Sequence, residues 1–592
     1  MKMTALQPSV FIGLSMILAV TTFMPYLQTV NFDFVNLDDW KYVRECSWIN
    51  QGLSVDAVLK CFTEFRDTGC WFPLTRLSYL IDVTFFGMNP AVMHIHNALL
   101  HAVNAVLVFY FLLIVSSKFQ QGDSTLSWLK APSFSRICVV FVATLFWSLH
   151  PLRVESVAWI ASRKDLLSLM GEMVALILWV RGMDAASKYW THGAAAFFVI
   201  AMMAKPTAIT FAPLVVIMDL LLLGKVRWEK IRAIFFITIP LLLLSIYTQQ
   251  VVRGGAEDPL MTVPLAGRLL NAVASVGLYL WQTCWPEQLY VPCLHRWPEM
   301  PHFLSGGLVC CGIIGSLLAG YAYKLFIGSS ACVDGGNKKI INRFLVLSVL
   351  GASGYVISLS PMLGIISFGY QANADRFTYL PSVWLSLLIA LLLDEGYRTR
   401  SSTALYGVSG MMVVVCGIFV TLTFNQIGYW RDTETLSLRA LRFDPENVVA
   451  NKNLGVHLFL KKKRLADSGF YLERAMIRQK DPLMFITGIT ILIANEDMKR
   501  ASFMTKQFIE TIRNEENTGW DIHYRIAYAF ESYCQGDWAL AEEHFLVVAG
   551  QNPVFAPVQY MLGKLALKSG NRDHAEKYWS VARKDVMFRD WL

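Results

Sequence analysis

Twelve apolar runs, near 8–24, 94–115, 137–149, 166–181, 191–204, 207–223, 233–247, 267–285, 303–325, 344–360, 380–394 and 403–424, occupy most of the chain up to residue 424. In lipid, such runs satisfy their backbone polar groups internally only as helices, so they predict an all-α, multi-pass membrane body. Hydrophobic residues make up 55% of the chain and charged residues 16%, with a mean hydropathy of +0.43. A soluble protein of 592 residues needs more polar surface than that. Beyond 430 the runs stop and Lys, Arg, Glu and Asp become frequent. The chain divides into a membrane body, 1–428, and a soluble tail, 429–592.

Basic residues set the expected orientation. Lys118, Lys130 and Arg136 separate the second and third runs, and Lys225, Arg227, Lys230 and Arg232 follow the sixth. Lys324, Lys338, Lys339 and Arg343 follow the ninth, and Arg398 and Arg400 the eleventh. All four loops read as cytoplasmic, and so does the N-terminus. These charges put the tail outside, which twelve crossings forbid. The 267–285 run leads into Trp285, Pro286, Pro292 and Pro298, and is read as a re-entrant or interfacial helix, leaving about eleven spans. The outer loops are then 31–93, 150–165, the Lys205–Pro206 corner, 248–266 and 361–379. No small-residue cleavage site follows the first run, so it reads as an uncleaved span. The net charge of +8 sits largely in the short loops, and no dense basic patch points to nucleic acid.

In the tail, 522–555 and 556–589 repeat at a period of 34 residues. Gly536, Ala541 and Phe545 recur as Gly570, Ala575 and Trp579. Small residues where two helices cross, a large one in the gap and a proline at the exit (Pro553) match tetratricopeptide spacing. A looser unit lies near 448–482 around Leu454, Gly455 and Ala466, and Pro445 ends a partial unit before it. Such repeats stack into a concave α-solenoid that binds partners or serves as scaffold.

Polar residues gather on the expected outer side, where they are costly unless paired or functional. Asn36-Leu37-Asp38-Asp39 offers two carboxylates, one a candidate base for an acceptor hydroxyl, the other its orienter or a helix cap. Six ionisable groups lie within the sixteen residues 150–165: His150, Arg153, Glu155, Arg163, Lys164 and Asp165. Arg153 and Arg163 have the forked geometry that grips phosphate. Lys205 precedes Pro206 in an apolar stretch, placed for a phosphate or carboxylate, or for snorkelling. Gln371, Asn373, Asp375, Arg376, Phe377 and Tyr379 precede Pro381, with Arg376 set to hold an anionic headgroup. No span is read as carrying polar residues along its length, which fits an ion channel poorly. Among 11 cysteines no metal-ligand spacing occurs; Cys46, Cys61 and Cys70 share the first outer loop, where an oxidising compartment permits a disulfide.

The ordered motifs Asn36-Leu37-Asp38-Asp39, His150-Pro151-Leu152-Arg153-Val154-Glu155-Ser156-Val157-Ala158, Arg163-Lys164-Asp165-Leu166-Leu167 and Ala374-Asp375-Arg376-Phe377-Thr378-Tyr379-Leu380-Pro381, closed by repeats, resemble the transmembrane and tetratricopeptide-containing O-mannosyltransferases. The tail is short for the animal members, which points to a bacterial relative. The resemblance implies a GT-C glycosyltransferase with its active site and repeats on the periplasmic side of the inner membrane. It implies a polyprenyl-phosphate-linked monosaccharide as donor, inverting transfer, and a protein Ser or Thr hydroxyl as acceptor, in a pilin or another exported protein. Asp38 or Asp39 would be the catalytic base. Arg376, with Arg163, Lys205 or Arg153, would hold the donor phosphate. His150, Glu155, Asp165, Asp375 and Tyr379 would line the site. No cofactor and no metal are expected. Two rivals stay open: transfer to a glycan or lipid acceptor, and a non-catalytic membrane scaffold.

Overall fold

A computed structural model describes residues 8–64, 71–118, 134–183, 188–253, 263–294, 303–327, 335–365, 371–399, 402–461, 464–479, 481–513 and 521–589. Cys70, Lys130, Pro298 and Arg400, named above, lie outside the described residues. The protein is an all-α membrane protein. Its strands, among the described residues, are Cys293–Leu294 and Gln371–Asn373, paired antiparallel. All twelve apolar runs fall on helices, from Pro8–Phe23 to Ser402–Gly428. Six helical segments among the described residues are long and apolar enough to cross a bilayer: Ser9–Asn31, Pro90–Ser117, Pro206–Leu223, Trp228–Thr248, Leu345–Met362 and Gly410–Gly428. Arg136–Ser148 and Pro151–Ala158, bent by 57°, make a seventh if they count as one span.

The helices wear their apolar residues outward. Met16, Ile17 and Val20 on the first helix, Phe236 and Leu243 on Trp228–Arg253, and Met411 and Val414 on Ser402–Gly428 are all exposed. Together with helices long and apolar enough to cross a bilayer, such exposed apolar faces fit contact with lipid. The Leu265–Cys284 helix behaves alike: Leu269 and Trp281 are exposed while Asn271, Ser275 and Gln282 are buried. Its Gly277 packs against Gly307 of the Leu304–Ile327 helix so closely that a Cβ on either would overlap the other helix's backbone.

Prolines break the helices where the polar motifs lie. Pro151 has no N–H to continue the helix before it. The His150 Nδ1 instead accepts the Leu152 N–H at 3.1 Å, starting the next piece at its new angle. Pro206 ends Tyr189–Ala204 and leaves Lys205 extended, before a 3-10 turn enters Phe211–Leu223. The 31–93 loop is itself largely helical, with Val55–Thr63 and Pro73–Phe86 as its longest pieces.

One expectation about charge needs correction, that polar residues gather on a single side. Arg136 and Arg227, in the loops read as cytoplasmic, are both buried in ion pairs, Arg136 with Asp394 at 3.3 Å and Arg227 with Asp219 at 2.7 Å. Polar groups therefore occupy both ends of the helices. Asp219, which also accepts from Trp179 at 2.9 Å, lies at the end of its helix away from Lys205. A carboxylate there is tolerable only because the guanidinium neutralises it.

The chain forms two compact units, one of 1–289 with 293–431, the other of 290–292 with 432–592. In the second, consecutive helices pack in pairs: Val448–Leu460 with Leu465–Arg478, Pro482–Ala494 with Met498–Arg513, Asp521–Gln535 with Trp538–Gln551, and Ala556–Lys568 with Arg572–Ala582. Gly563 leaves room for the Trp579 ring, and Gly455 for Leu472. Gly536 and Gly570 turn the chain between paired helices at φ +86° and +79°, a region glycine enters without cost. The 482–513 pair carries no repeat signature, because Ser502, Gln507 and Thr511 stand 34 residues before Gly536, Ala541 and Phe545.

Candidate functional site

The adjacent carboxylates of Asp38 and Asp39 sit in different surroundings. Asp39 is buried, its Oδ2 accepting the Val35 N–H at 3.1 Å and its Oδ1 the Ala161 N–H at 2.8 Å. Burial pushes its pKa up to about 7, against the lowering effect of those two N–H groups. Asp38 has a side chain 39% exposed and faces the Lys164 ammonium at 3.4 Å. Asp39 thus ties its loop to the 160–162 turn, and Asp38 is the carboxylate an incoming group can reach.

Lys164 opens the Arg163–Arg181 helix. Its ammonium lies 4.7 Å from the Tyr42 ring, 5.8 Å from Phe72 and 5.7 Å from Trp159. The Trp159 ring also carries the Arg376 guanidinium, 5.2 Å from its centroid. Arg376 is anchored by Glu155, whose carboxylate meets Nη1 and accepts the Arg376 backbone N–H at 2.9 Å. Gln371 accepts from Nη2 at 2.5 Å. Glu155 is fully buried, which is tolerable because the guanidinium neutralises it.

Arg376 borders a small, partly open cavity that is also lined by Lys205, Asp165, Ser168, Glu172 and Tyr379. Lys205 donates to Asp165 Oδ1 at 2.5 Å, and Oδ2 of that carboxylate is buried without a hydrogen-bond partner. Burial lowers the Lys205 pKa, and Asp165 offsets part of the effect. Two cations and two carboxylates thus line the cavity.

Most of the other expected residues shape the site without lining the cavity. Arg163 spends its fork inward, on Asp82 at 2.5 Å, Asn97 Oδ1 at 2.8 Å and the Met93 carbonyl at 3.0 Å. Arg153 is buried and clamps the 375–378 turn, giving 2.9 Å to the Thr378 carbonyl and 2.7 Å to its hydroxyl. His150 caps its turn and bonds the Thr283 carbonyl through Nε2 at 2.9 Å, which makes it neutral with the proton on Nε2. Asp375 is buried, and burial together with the Glu155 charge holds it well above the usual carboxylate range. Tyr379 does line the cavity, and its hydroxyl meets His101 Nδ1 at 2.8 Å.

No model of a protein family matches the chain. The chain is similar to proteins named protein O-mannosyl-transferases. One from Caenorhabditis elegans is 22% identical over 77% of this chain and 60% of that protein. Tmtc3 of Drosophila melanogaster is 21% identical over 77% of this chain and 53% of its own length. Human TMTC4 is 23% identical over 67% of this chain and 57% of its own. The chain spans little more than half the length of these relatives.

Two features escaped the sequence. Glu172, buried in the Arg163–Arg181 helix, lines the cavity and accepts from Thr210 at 3.3 Å. The Pro90–Lys118 helix carries His94, Asn97, His101 and Asn104, all buried, correcting the expectation that no span bears polar residues along its length. Their spacing of three and four residues, one helical face, was the available signal. Asn97, His101 and Asn104 bond backbone carbonyls of Trp159, Ser148 and Leu166, and also Arg163 and Tyr379, so they brace the site rather than line a pore.

Proposed function

We propose that this protein is a GT-C glycosyltransferase moving a monosaccharide from a polyprenyl-phosphate carrier to a Ser or Thr hydroxyl of an exported protein. The observation that carries the reading is the accessible carboxylate of Asp38, joined through Lys164 and Trp159 to a cavity holding two fixed cations, Arg376 and Lys205. Arg376 and Lys205 bind the donor phosphate. Asp38 takes the acceptor proton as the acceptor oxygen bonds to the anomeric carbon. The bond from that carbon to phosphate breaks, and its electron pair leaves with the polyprenyl phosphate, inverting the centre. Positive charge fixed beside the leaving group favours this step. Arg153, Arg163 and His150 hold the scaffold, and Asp39 positions Asp38.

The names of the relatives favour mannose; a pentose such as arabinofuranose is the other sugar to test. The 429–592 region is read as a tetratricopeptide array that captures the acceptor. The bacterial inner membrane, with site and array on the periplasmic side, is the proposed setting, and a pilin is one candidate acceptor. The test is transfer by the purified full-length protein from polyprenyl-phosphate mannose to an acceptor protein. Asp38→Asn is expected to lower kcat about 10²–10⁴-fold with little change in KM for donor. Wild-type kcat in that variant removes the base assignment. Sugar loss confined to surface polysaccharide in a deletion strain favours a glycan acceptor instead.

A further inference from the structure

We infer that Lys164 is a movable counter-ion, which holds Asp38 while the donor site is empty and turns to the donor phosphate when the site fills. This rests on the donor class proposed above. The ammonium is weakly tied: its hydrogen-bond partner among the described residues is Asp38, at 3.4 Å, a long contact. The rest of its stabilisation comes from the rings of Tyr42, Phe72 and Trp159, at 4.7–5.8 Å. Ring faces stabilise a cation without directing its N–H groups, so the ammonium keeps donors to spare. Arg153 and Arg163 are the opposite case, with their guanidinium groups spent on carbonyls, hydroxyls and a carboxylate.

Position completes the case. The Trp159 ring is shared by Lys164 and by Arg376, a cavity-lining cation. A lysine side chain pivots on a flexible four-carbon stem. The donor's phosphodiester, a monoanion that gains a second negative charge as the sugar leaves, competes beside Arg376 and Lys205 with the 39% exposed Asp38 carboxylate for the ammonium. Its departure leaves Asp38 without its partner, open to an acceptor hydroxyl. Donor occupancy would thereby free the base, and an empty site would keep it covered.

The experiment measures equilibrium binding of a long-chain polyprenyl monophosphate, the donor without its sugar, to the full-length protein in nanodiscs. If Asp38 competes with phosphate for Lys164, Asp38→Asn binds the lipid about five- to tenfold more tightly than wild type. Lys164→Met binds it about tenfold more weakly, and Lys164→Arg stays within about threefold of wild type. The decisive arm is Asp38→Asn combined with Lys164→Met, in which the gain from Asp38→Asn disappears. A gain that persists in the Lys164→Met background reports simple repulsion between Asp38 and phosphate, and overturns the inference alone. Unchanged binding in Lys164→Met also overturns it. No saturable binding by wild type overturns the donor-class reading and this inference with it.

Discussion

Adjacent residues of one type acquire different duties here through backbone contacts made elsewhere. Asp39 is clamped by an amide 122 positions away, at Ala161. The Asp38–Asp39 pair was visible in the sequence, but not which one faces outward, because that depends on this long-range contact. Asp39 has a testable signature. Its pKa in the fold, about 7, lies above the unfolded value, so the folded state binds more protons between about pH 4 and 7. Stability of this loop therefore falls as pH rises through that window and levels off above it. Hydrogen-exchange protection factors at the Val35 and Ala161 amides should decline between about pH 4 and 7 and level off above about 7, and a pH-independent profile would contradict the reading. Glu155→Gln removes the charge that anchors Arg376, and donor KM is expected to rise about tenfold or more, as for groups that orient binding side chains. Glu172 showed no sign in the sequence, a lone carboxylate whose Thr210 partner lies 38 positions away. Replacing it with Ala should change the ratio of rates between donors carrying different sugars, whereas equal loss across donors would make it structural.

The elements were legible as far as periodicity reaches. Each apolar run became a helix, and the prolines broke helices where the motifs lay. What the runs could not show is how closely two helices approach. The Leu265–Cys284 and Leu304–Ile327 helices meet at Gly277 and Gly307, where neither tolerates a Cβ without displacement. Gly277→Ala should cost about 1–3 kcal/mol through overpacking. Gly312→Ala, on the same helix as Gly307 but with open space around it, should be neutral or stabilising by up to about 1 kcal/mol. Thermal unfolding in detergent compares the two, and equal effects would argue against the close crossing. The polar stripe on Pro90–Lys118 was missed for a related reason: its mean character is apolar, and only its phase reveals the buried face.

For the whole molecule, composition separated an apolar portion from a polar one, and the second compact unit begins its main segment at Asp432. Counting spans was harder. Helices such as Arg163–Arg181 carry Asp165 and Glu172 inside the protein, so hydropathy averages blur where a site is built into a helix. Single cysteines placed in the tail should react with impermeant reagent from the periplasmic side, and protection there would reverse the proposed topology. The Arg136–Asp394 pair bears on assembly in time. Its members are 258 positions apart in the chain. At roughly 5–20 residues synthesised per second, Arg136 emerges about 13–52 s before its partner. Until then the guanidinium lacks the Asp394 carboxylate that it meets in the finished fold. The membrane body therefore closes late, when one of its last helices delivers the charge that lets one of its earlier helices settle.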